Sequence, residues 1–266
     1  MITFNPDAEE KLRSFTPENT YLVADFDGTV IRGTEANSFS VFREALWETY
    51  TQTARRLYWI FRPHEANDTL DPERKRVIMA RWWKAHLALF RKIPLTQDHL
   101  NDNLIDELIL RKGMRDLICK LCEGTIPTMV FSAGIAQVIE KVLERDFGTE
   151  HPMKVVANRL TFCPRWINNG VESEPIHTVN KTDVDFPELI PQRMRDRTRA
   201  IVIGDSLSDA DMVKSLPIEH RLTIGFLNNW DIERKRIFQE RFDIVIESWE
   251  CDGGIWNQLL EAIWIK

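Results

Sequence analysis

Six polar residues stand where chemistry could gather. Asp25 and Asp27 follow the apolar run Tyr21–Ala24, Ser132 follows Thr128–Phe131, and Asp205 and Asp209 follow Ala200–Ile203. Lys181 ends the stretch His177-Thr178-Val179-Asn180-Lys181. Asp25 and Asp27 are two apart, a spacing that puts both side chains on one face of an extended chain. Asp205 and Asp209, four apart across a strand–helix turn, can both face one site. Carboxylates gathered in this way repel one another, because two unit charges ~4 Å apart cost about 4 kcal/mol at an effective dielectric of ~20. A cation is needed among Asp25, Asp27, Asp205 and Asp209, and oxygen-only donors favour a hard ion such as Mg²⁺.

The remaining pieces suit a phosphate. Ser132-Ala133-Gly134 offers a hydroxyl and free backbone N–H groups at an expected helix N-terminus, which is an anion site. Lys181 supplies a second positive charge. A metal, a lysine and N–H groups around a carboxylate nucleophile suit phosphoryl transfer, where positioning and charge stabilisation dominate. Taken singly, each residue has a plainer role. Asp25 and Asp27 fit strand-end caps, Ser132 a helix cap, Lys181 a solvated lysine, and Asp209 a first-turn acid favoured by the helix dipole.

The elements that must position these groups are legible as alternation. Tyr21–Ala24, Thr128–Phe131, Ala200–Ile203, Leu222–Ile224 and Ile244–Ile246 are short continuous apolar runs, several followed by helical sequence such as Ile135–Leu143. Runs without polar alternation are strands buried on both faces, and strand–helix repetition predicts a doubly wound α/β fold with a parallel sheet. Ligands of such sheets bind at the carboxyl ends of the strands, where Asp25, Asp27, Ser132, Asp205 and Asp209 fall. Between Asn37 and Arg111 the rhythm breaks into amphipathic patterns at Ser38–Phe61, Pro72–Lys92 and Thr96–Leu110. Asp71-Pro72 starts the second of these, Pro94 ends it, and Gly113 marks the return to the core. Residues 1–36 and 112–266 are thus expected to form the core and 37–111 an inserted helical cap. Asn168-Asn169-Gly170 reads as a hairpin turn.

Composition narrows the class. With 266 residues, 43 % of them hydrophobic, the chain has the material for one large α/β domain or a domain with an insert. The 35 Lys+Arg against 41 Asp+Glu leave a net charge of −6, which argues against nucleic-acid and membrane-surface partners. No stretch approaches the ~20 apolar residues of a bilayer span, and MITFNPDAEEKLR is acidic where a signal peptide is apolar, so a cytoplasmic location is expected. Cys119, Cys122, Cys163 and Cys251 are too few for a disulfide framework. The Cys119–Cys122 pair lies in a helix-like run with no second ligand pair, and reads as buried helix cysteines. The glycosylation-type triplets at Asn67 and Asn180 are discounted for want of a signal peptide.

Asp25-Phe26-Asp27-Gly28-Thr29, Ser132, Lys181 and Gly204-Asp205-Ser206-x-x-Asp209 resemble, in order, the four motifs of the haloacid-dehalogenase superfamily. The resemblance implies a Rossmann-like core with a helical cap after the first strand. It implies Asp25 as nucleophile and Asp27 as general acid and base. It further implies Ser132 and Lys181 as phosphate-binding residues, with Asp205 and Asp209 holding or orienting Mg²⁺. An acid at Asp27 points to phosphatases rather than dehalogenases or transport ATPases. As an acid, Asp27 must start with a raised pKa.

A narrower likeness is to the pyrimidine 5′-nucleotidases. Phe131-Ser132-Ala133-Gly134-Ile135, Ile176–Lys181, Gly204-Asp205-Ser206, Ile224-Gly225-Phe226-Leu227-Asn228 and Phe242–Ile246 resemble that family, and Arg81-Trp82-Trp83-Lys84-Ala85-His86 is similar to its aromatic cap helix. The chain departs from it in lacking a Cys-rich segment after the first motif and in having Ser208 where glycine is typical. The likeness implies a nucleoside monophosphate as substrate, pyrimidine or 7-methylguanosine in type, with Trp82 as the candidate platform for stacking on the base and Glu65 as the candidate acceptor for an exocyclic amino group. A phosphatase for a small ester such as phosphoserine, and a phosphate binder without turnover, are the competing expectations.

Overall fold

The computed structural model describes residues 2–33, 36–42, 48–67, 69–91, 95, 105–163, 168–172, 174–181, 191–229, 231–247 and 254–264. The apolar runs become strands because their side chains are buried on both faces. In β2 (Thr20–Ala24) and β3 (Thr128–Ile135) every residue is buried, and in β7 (Arg199–Gly204) all but the first. With β1 (Ile2–Phe4), β4 (Lys154–Asn158), β8 (His220–Phe226) and β9 (Ile244–Ile246) they form one sheet, ordered β1-β9-β8-β7-β2-β3-β4. All its pairings are parallel except that of β1 with β9. The helices α1 (Ala8–Leu12), α4 (Met114–Glu123), α5 (Ala136–Phe147), α6 (Gln192–Arg195), α7 (Ile232–Arg241) and α8 (Gly254–Trp264) connect or flank the strands.

Register decides where the polar residues emerge. Ala24 of β2 lies beside Val130 of β3 and Ile203 of β7. Asp25, Ser132 and Asp205 therefore leave three adjacent strands within two residues of one line. β2 is the middle strand of that trio, so the residues after it have neighbours on both sides.

Between β2 and β3 lie α2 (Glu48–Glu65) and α3 (Pro72–Phe90). Asp71 caps α3 by accepting from the Arg74 N–H at 2.8 Å, with Pro72 at the first position, where no donor is needed. The helix buries Met79, Trp82, Trp83, Leu87 and Phe90. Entry to and exit from this segment are zipped together. Ile31 and Leu110 form an antiparallel bridge, Arg32 N donates to Ile109 O, and Arg111 N donates to Val30 O, each at 2.9 Å.

Several sequence expectations are corrected. The first helical pattern continues past Phe61 and through Pro63 to Glu65; proline is tolerated there because only the last turn loses a bond. Most of the third pattern lies outside the described residues, and its end, Ile105–Leu110, is a turn followed by the bridge rather than helix. Asn168-Asn169-Gly170 is not the hairpin turn. It belongs to the strand β6 (Asn168–Val171), paired with β5 (Leu160–Phe162), so the chain reverses between Phe162 and Asn168. The helix expected after Ser206 is a short 3₁₀ stretch, Leu207–Asp211. Cys119 and Cys122 are free and do lie in a helix, but half-buried rather than buried; Cys251 is outside the described residues.

One buried cation braces the turn after β2. Arg111 Nε donates to Thr29 O at 3.1 Å, and its terminal nitrogen to Gly28 O at 2.5 Å and Asn228 Oδ1 at 2.8 Å. The guanidinium lies 3.8 Å from the Phe226 ring centroid. Arg111→Met keeps the volume and strips the donors from groups that stay buried. Each such loss costs about 1–3 kcal/mol, so urea unfolding should show destabilisation of about 3 kcal/mol or more.

Candidate active site

Lys181 is the hub. Its ammonium, 3 % exposed, donates to Asp25 Oδ1 at 2.5 Å and to Asp209 Oδ1 at 2.7 Å. The loop carrying it is shaped by Asn180, whose side-chain oxygen accepts from His177 N at 2.7 Å while its amide donates to Pro175 O at 3.0 Å. Burial holds His177 neutral, its pKa pushed down to about 4 with help from Arg76. Burial alone would lower the Lys181 pKa, but Asp209 and then Asp25 reverse the direction and hold it protonated.

Asp209 is consumed by scaffolding. Its Oδ2 accepts from Asp205 N at 3.1 Å, Ser206 N at 2.9 Å and Ser206 Oγ at 2.8 Å, a reciprocal capping box, while Oδ1 takes Lys181. Asp209 thus serves as the first-turn acid of the short 3₁₀ stretch. Ser208, the departure from the family pattern, donates to Thr178 O at 2.5 Å and ties this loop to that of Lys181. Asp205 is freer, its Oδ2 accepting from Asn228 Nδ2 at 3.0 Å.

Asp25, Asp205 and Asp209 each offer a carboxylate oxygen within 4.8 Å of the others. Asp205 has its pKa raised to about 7, by burial first and then by the charge of Asp209. Burial likewise lifts Asp25 well above the carboxylate range, Lys181 pulling the other way and Asp209 and Asp205 adding to the rise. Three carboxylates against one ammonium leave surplus negative charge among oxygen-only donors, which is the donor set of a hard cation such as Mg²⁺. Gly28, with φ +79°, makes room: a Cβ there would lie 2.3 Å from Asp205 Oδ2.

The side chain of Asp27 is turned to another task. Its Oδ1 accepts from Ser38 N at 2.8 Å and its Oδ2 from Ser38 Oγ at 2.5 Å. Among the described residues, the acidic side chains close enough to share a cation are those of Asp25, Asp205 and Asp209, and the Asp27 side chain is not one of them. Withdrawal from water raises its pKa, against the Ser38 hydrogen bonds and the Lys181 charge.

The Ser132-Ala133-Gly134 corner differs from the expected helix N-terminus. It is the irregular end of β3, where the register with β4 shifts after Phe131, and α5 begins only at Ala136. Gly134 N is spent on Ser132 Oγ at 3.0 Å. The Ala133 carbonyl is held by Trp83 Nε1 at 3.0 Å and Asn158 Nδ2 at 2.7 Å. Trp83, buried in the core, thus fixes this corner.

The two base candidates lie together along α2 and α3. Trp82 is 7 % exposed, stacked on Phe61 at 5.9 Å and edge-on to Tyr58 and Trp83, so the proposed platform is itself packed. Its buried Nε1 has no partner among the described residues. Glu65 is ion-paired with Arg62, which in turn feels the charge of Asp205. Sequence reasoning missed Ser38, Arg111 and Asn158 altogether.

A mostly parallel sheet with an acidic cluster at its carboxyl edge and a lysine at the centre defines a phosphatase of the haloacid-dehalogenase fold. The solved phospho-aspartyl intermediate analogue of phosphoserine phosphatase shares that fold, with a TM-score of 0.57, 18 % identity, and coverage of 92 % of this chain and 99 % of the other. The chain belongs to the pyrimidine 5′-nucleotidase family: the profile described as Pyrimidine 5′-nucleotidase (UMPH-1) matches residues 27–264. It is similar to a 7-methylguanosine phosphate-specific 5′-nucleotidase of Drosophila melanogaster, 31 % identical over 244 residues, which is 86 % of this chain and 76 % of that one. It is also similar to the crystal structure of cytosolic 5′-nucleotidase IIIB bound to cytidine, with a TM-score of 0.86, 29 % identity, and coverage of 98 % of this chain and 93 % of that one. No helix among the described residues is long and apolar enough to cross a membrane.

The acidic cluster makes stability depend on pH. The folded-state pKa of Asp205 is raised, so its contribution is present at low pH and is lost as pH rises from the ordinary carboxylate range through about 7. In chelator, the melting temperature should fall between about pH 5 and about pH 8. Added Mg²⁺ should raise it more at the upper end, because the ion binds the ionised form. Equal Mg²⁺ shifts at both ends would contradict this account.

Proposed function

We propose that this enzyme hydrolyses the 5′-phosphate of nucleoside monophosphates with a pyrimidine or 7-methylguanine base, using Mg²⁺ and an aspartyl-phosphate on Asp25. The observation that carries the reading is the buried contact of Lys181 with Asp25 and Asp209, beside Asp205, at the carboxyl edge of the sheet. When bound, Mg²⁺ supplies positive charge against the phosphoryl oxygens, and Asp25, Asp205 and the Asp27 carbonyl would hold it. Asp209 positions Lys181 and the Asp205 loop.

Lys181, 2.5 Å from Asp25, favours its ionised, nucleophilic form against the burial that raises its pKa, and a bound cation would add to that pull. Asp25 attacks phosphorus, the bond from phosphorus to the 5′-oxygen breaks, and Asp27 gives its proton to the departing oxygen. The ionised Asp27 then takes a proton from water as that water attacks phosphorus and releases Asp25. Lys181, Ser132, Ala133 and Gly134 would bind the non-bridging oxygens, Gly134 N turning from Ser132 Oγ to do so, so that fixed positive charge and donors stabilise the transferring group. In this reading residues 37–111 are the cap over the core of 1–36 and 112–266. Trp82 is the candidate to stack on the base, and Glu65, released from Arg62, to accept from its exocyclic amino group.

The base class is supported by the name of the Drosophila relative and by the cytidine in the neighbouring structure. The cytosolic name of that neighbour supports a cytoplasmic location. The test is phosphate release with Mg²⁺ from UMP, CMP, 7-methylguanosine monophosphate, AMP and phosphoserine, side by side. One of the first three should be fastest, and Asp25→Asn should lose about a thousandfold or more in kcat. Preference for phosphoserine removes the nucleotide assignment. Release from none points to a binder, and full activity of Asp25→Asn removes the nucleophile.

A further inference from the structure

We propose that Ser38 is the positioning residue for Asp27, and that through it the first turn of the helical segment sets the orientation of the proton-transfer group. This rests on the reading of Asp27 as acid and base. An aspartate side chain has two free torsions, and proton transfer to a departing oxygen demands one orientation. Here each carboxylate oxygen has its own donor from one residue, the Ser38 N–H at 2.8 Å on Oδ1 and the Ser38 hydroxyl at 2.5 Å on Oδ2. The pair is complementary in chemistry. A main-chain N–H can only donate, so the transferable proton belongs on Oδ2, whereas a hydroxyl both donates and accepts and so suits Oδ2 with or without that proton.

Ser38 is itself held from two sides. Asn37 Oδ1 accepts from Phe39 N at 3.0 Å and Ser40 N at 2.9 Å, and Asn37 N donates to Ser40 Oγ at 2.7 Å, which makes a tight turn aiming the Ser38 N–H at Asp27. Phe39 packs on α3, its ring 4.7 Å from that of His86 and 6.4 Å from that of Phe90. On the other side stands Gly134, where a Cβ would lie 2.1 Å from Ser38 Oγ and 3.0 Å from Asp27 Oδ2. Ser38 is fully buried in this wedge between the β3 corner and α3. A shift of α3 against the sheet therefore moves the group that aims Asp27.

Leaving-group dependence tests the proposal, because a displaced acid harms only a leaving group that needs its proton. Rapid-quench measurement of phosphoenzyme formation in Mg²⁺ would compare the fastest ester of the panel above, all of which have alkyl leaving groups, with p-nitrophenyl phosphate. Ser38→Ala should slow formation from the alkyl ester about tenfold or more, and from the aryl ester less than about threefold. Asp27→Asn is the reference and should show the same selectivity, larger. If it shows none, the acid assignment fails and takes the proposal with it. If Asp27→Asn is selective and Ser38→Ala slows both esters equally or neither, the proposal alone is overturned. Should Ser38→Ala melt below the assay temperature, Phe39→Leu, which keeps Ser38 and loosens its anchor, should give the same selective loss in smaller measure; an equal loss for both esters overturns the proposal.

Discussion

Three carboxylates and one ammonium are withdrawn from water at the edge of the sheet, and their charges do not cancel. Lys181 satisfies Asp25 and Asp209, while Asp205 is left with an amide donor and a pKa near neutrality. Isolated buried charges cost several kcal/mol each, so such a cluster persists only when almost every oxygen has a donor and the surplus charge meets a cation. The capping box of Ser206 and Asp209, the Asn228 amide and the Thr29 hydroxyl on Asp25 all meet that demand. A phosphate ester brings more negative charge to the same edge, and the arrangement that tolerates a cation is the one that receives it.

The helical segment is bound into this edge at two points. Trp83 of α3 holds the carbonyl of Ala133, and Ser38 holds the carboxylate of Asp27. Below them, the bridge between Ile31 and Leu110 and the buried Arg111 join the segment's two ends to the turn after β2. The turn that carries both Asp25 and Asp27 is therefore shared between sheet and helices. Ser208 shows the same economy on the other flank, where a hydroxyl in place of the family's glycine ties the Asp205 loop to the Lys181 loop.

Much of the core was legible because continuous apolar runs become strands buried on both faces in an α/β fold. Tyr21–Ala24, Ala200–Ile203 and Ile244–Ile246 all became strands. β4 was missed because an edge strand alternates; Lys154 is exposed and Val156 buried. Asn168-Asn169-Gly170 misled because its residue types favour a tight turn, yet pairing with Leu160–Phe162 kept it extended. The expected helix after Ser206 failed for a related reason. Asp209 spends its carboxylate on main-chain N–H groups and on Lys181, and the chain closes into a 3₁₀ turn.

Residue types, their order and their spacing singled out the acidic residues, the lysine and Ser132 as candidates, and their resemblance to known motifs pointed to the family that the profile match shows. Their division of labour was decided only by the folded chain. Lys181 reaches Asp25 across 156 positions, which is why no spacing shows that it stands between Asp25 and Asp209. The two members of the Asp25/Asp27 pair are likewise equivalent on an extended strand. They part company because the strand ends at Ala24 and the chain turns over Phe26–Val30, leaving one carboxylate with the ammonium and the other with Ser38.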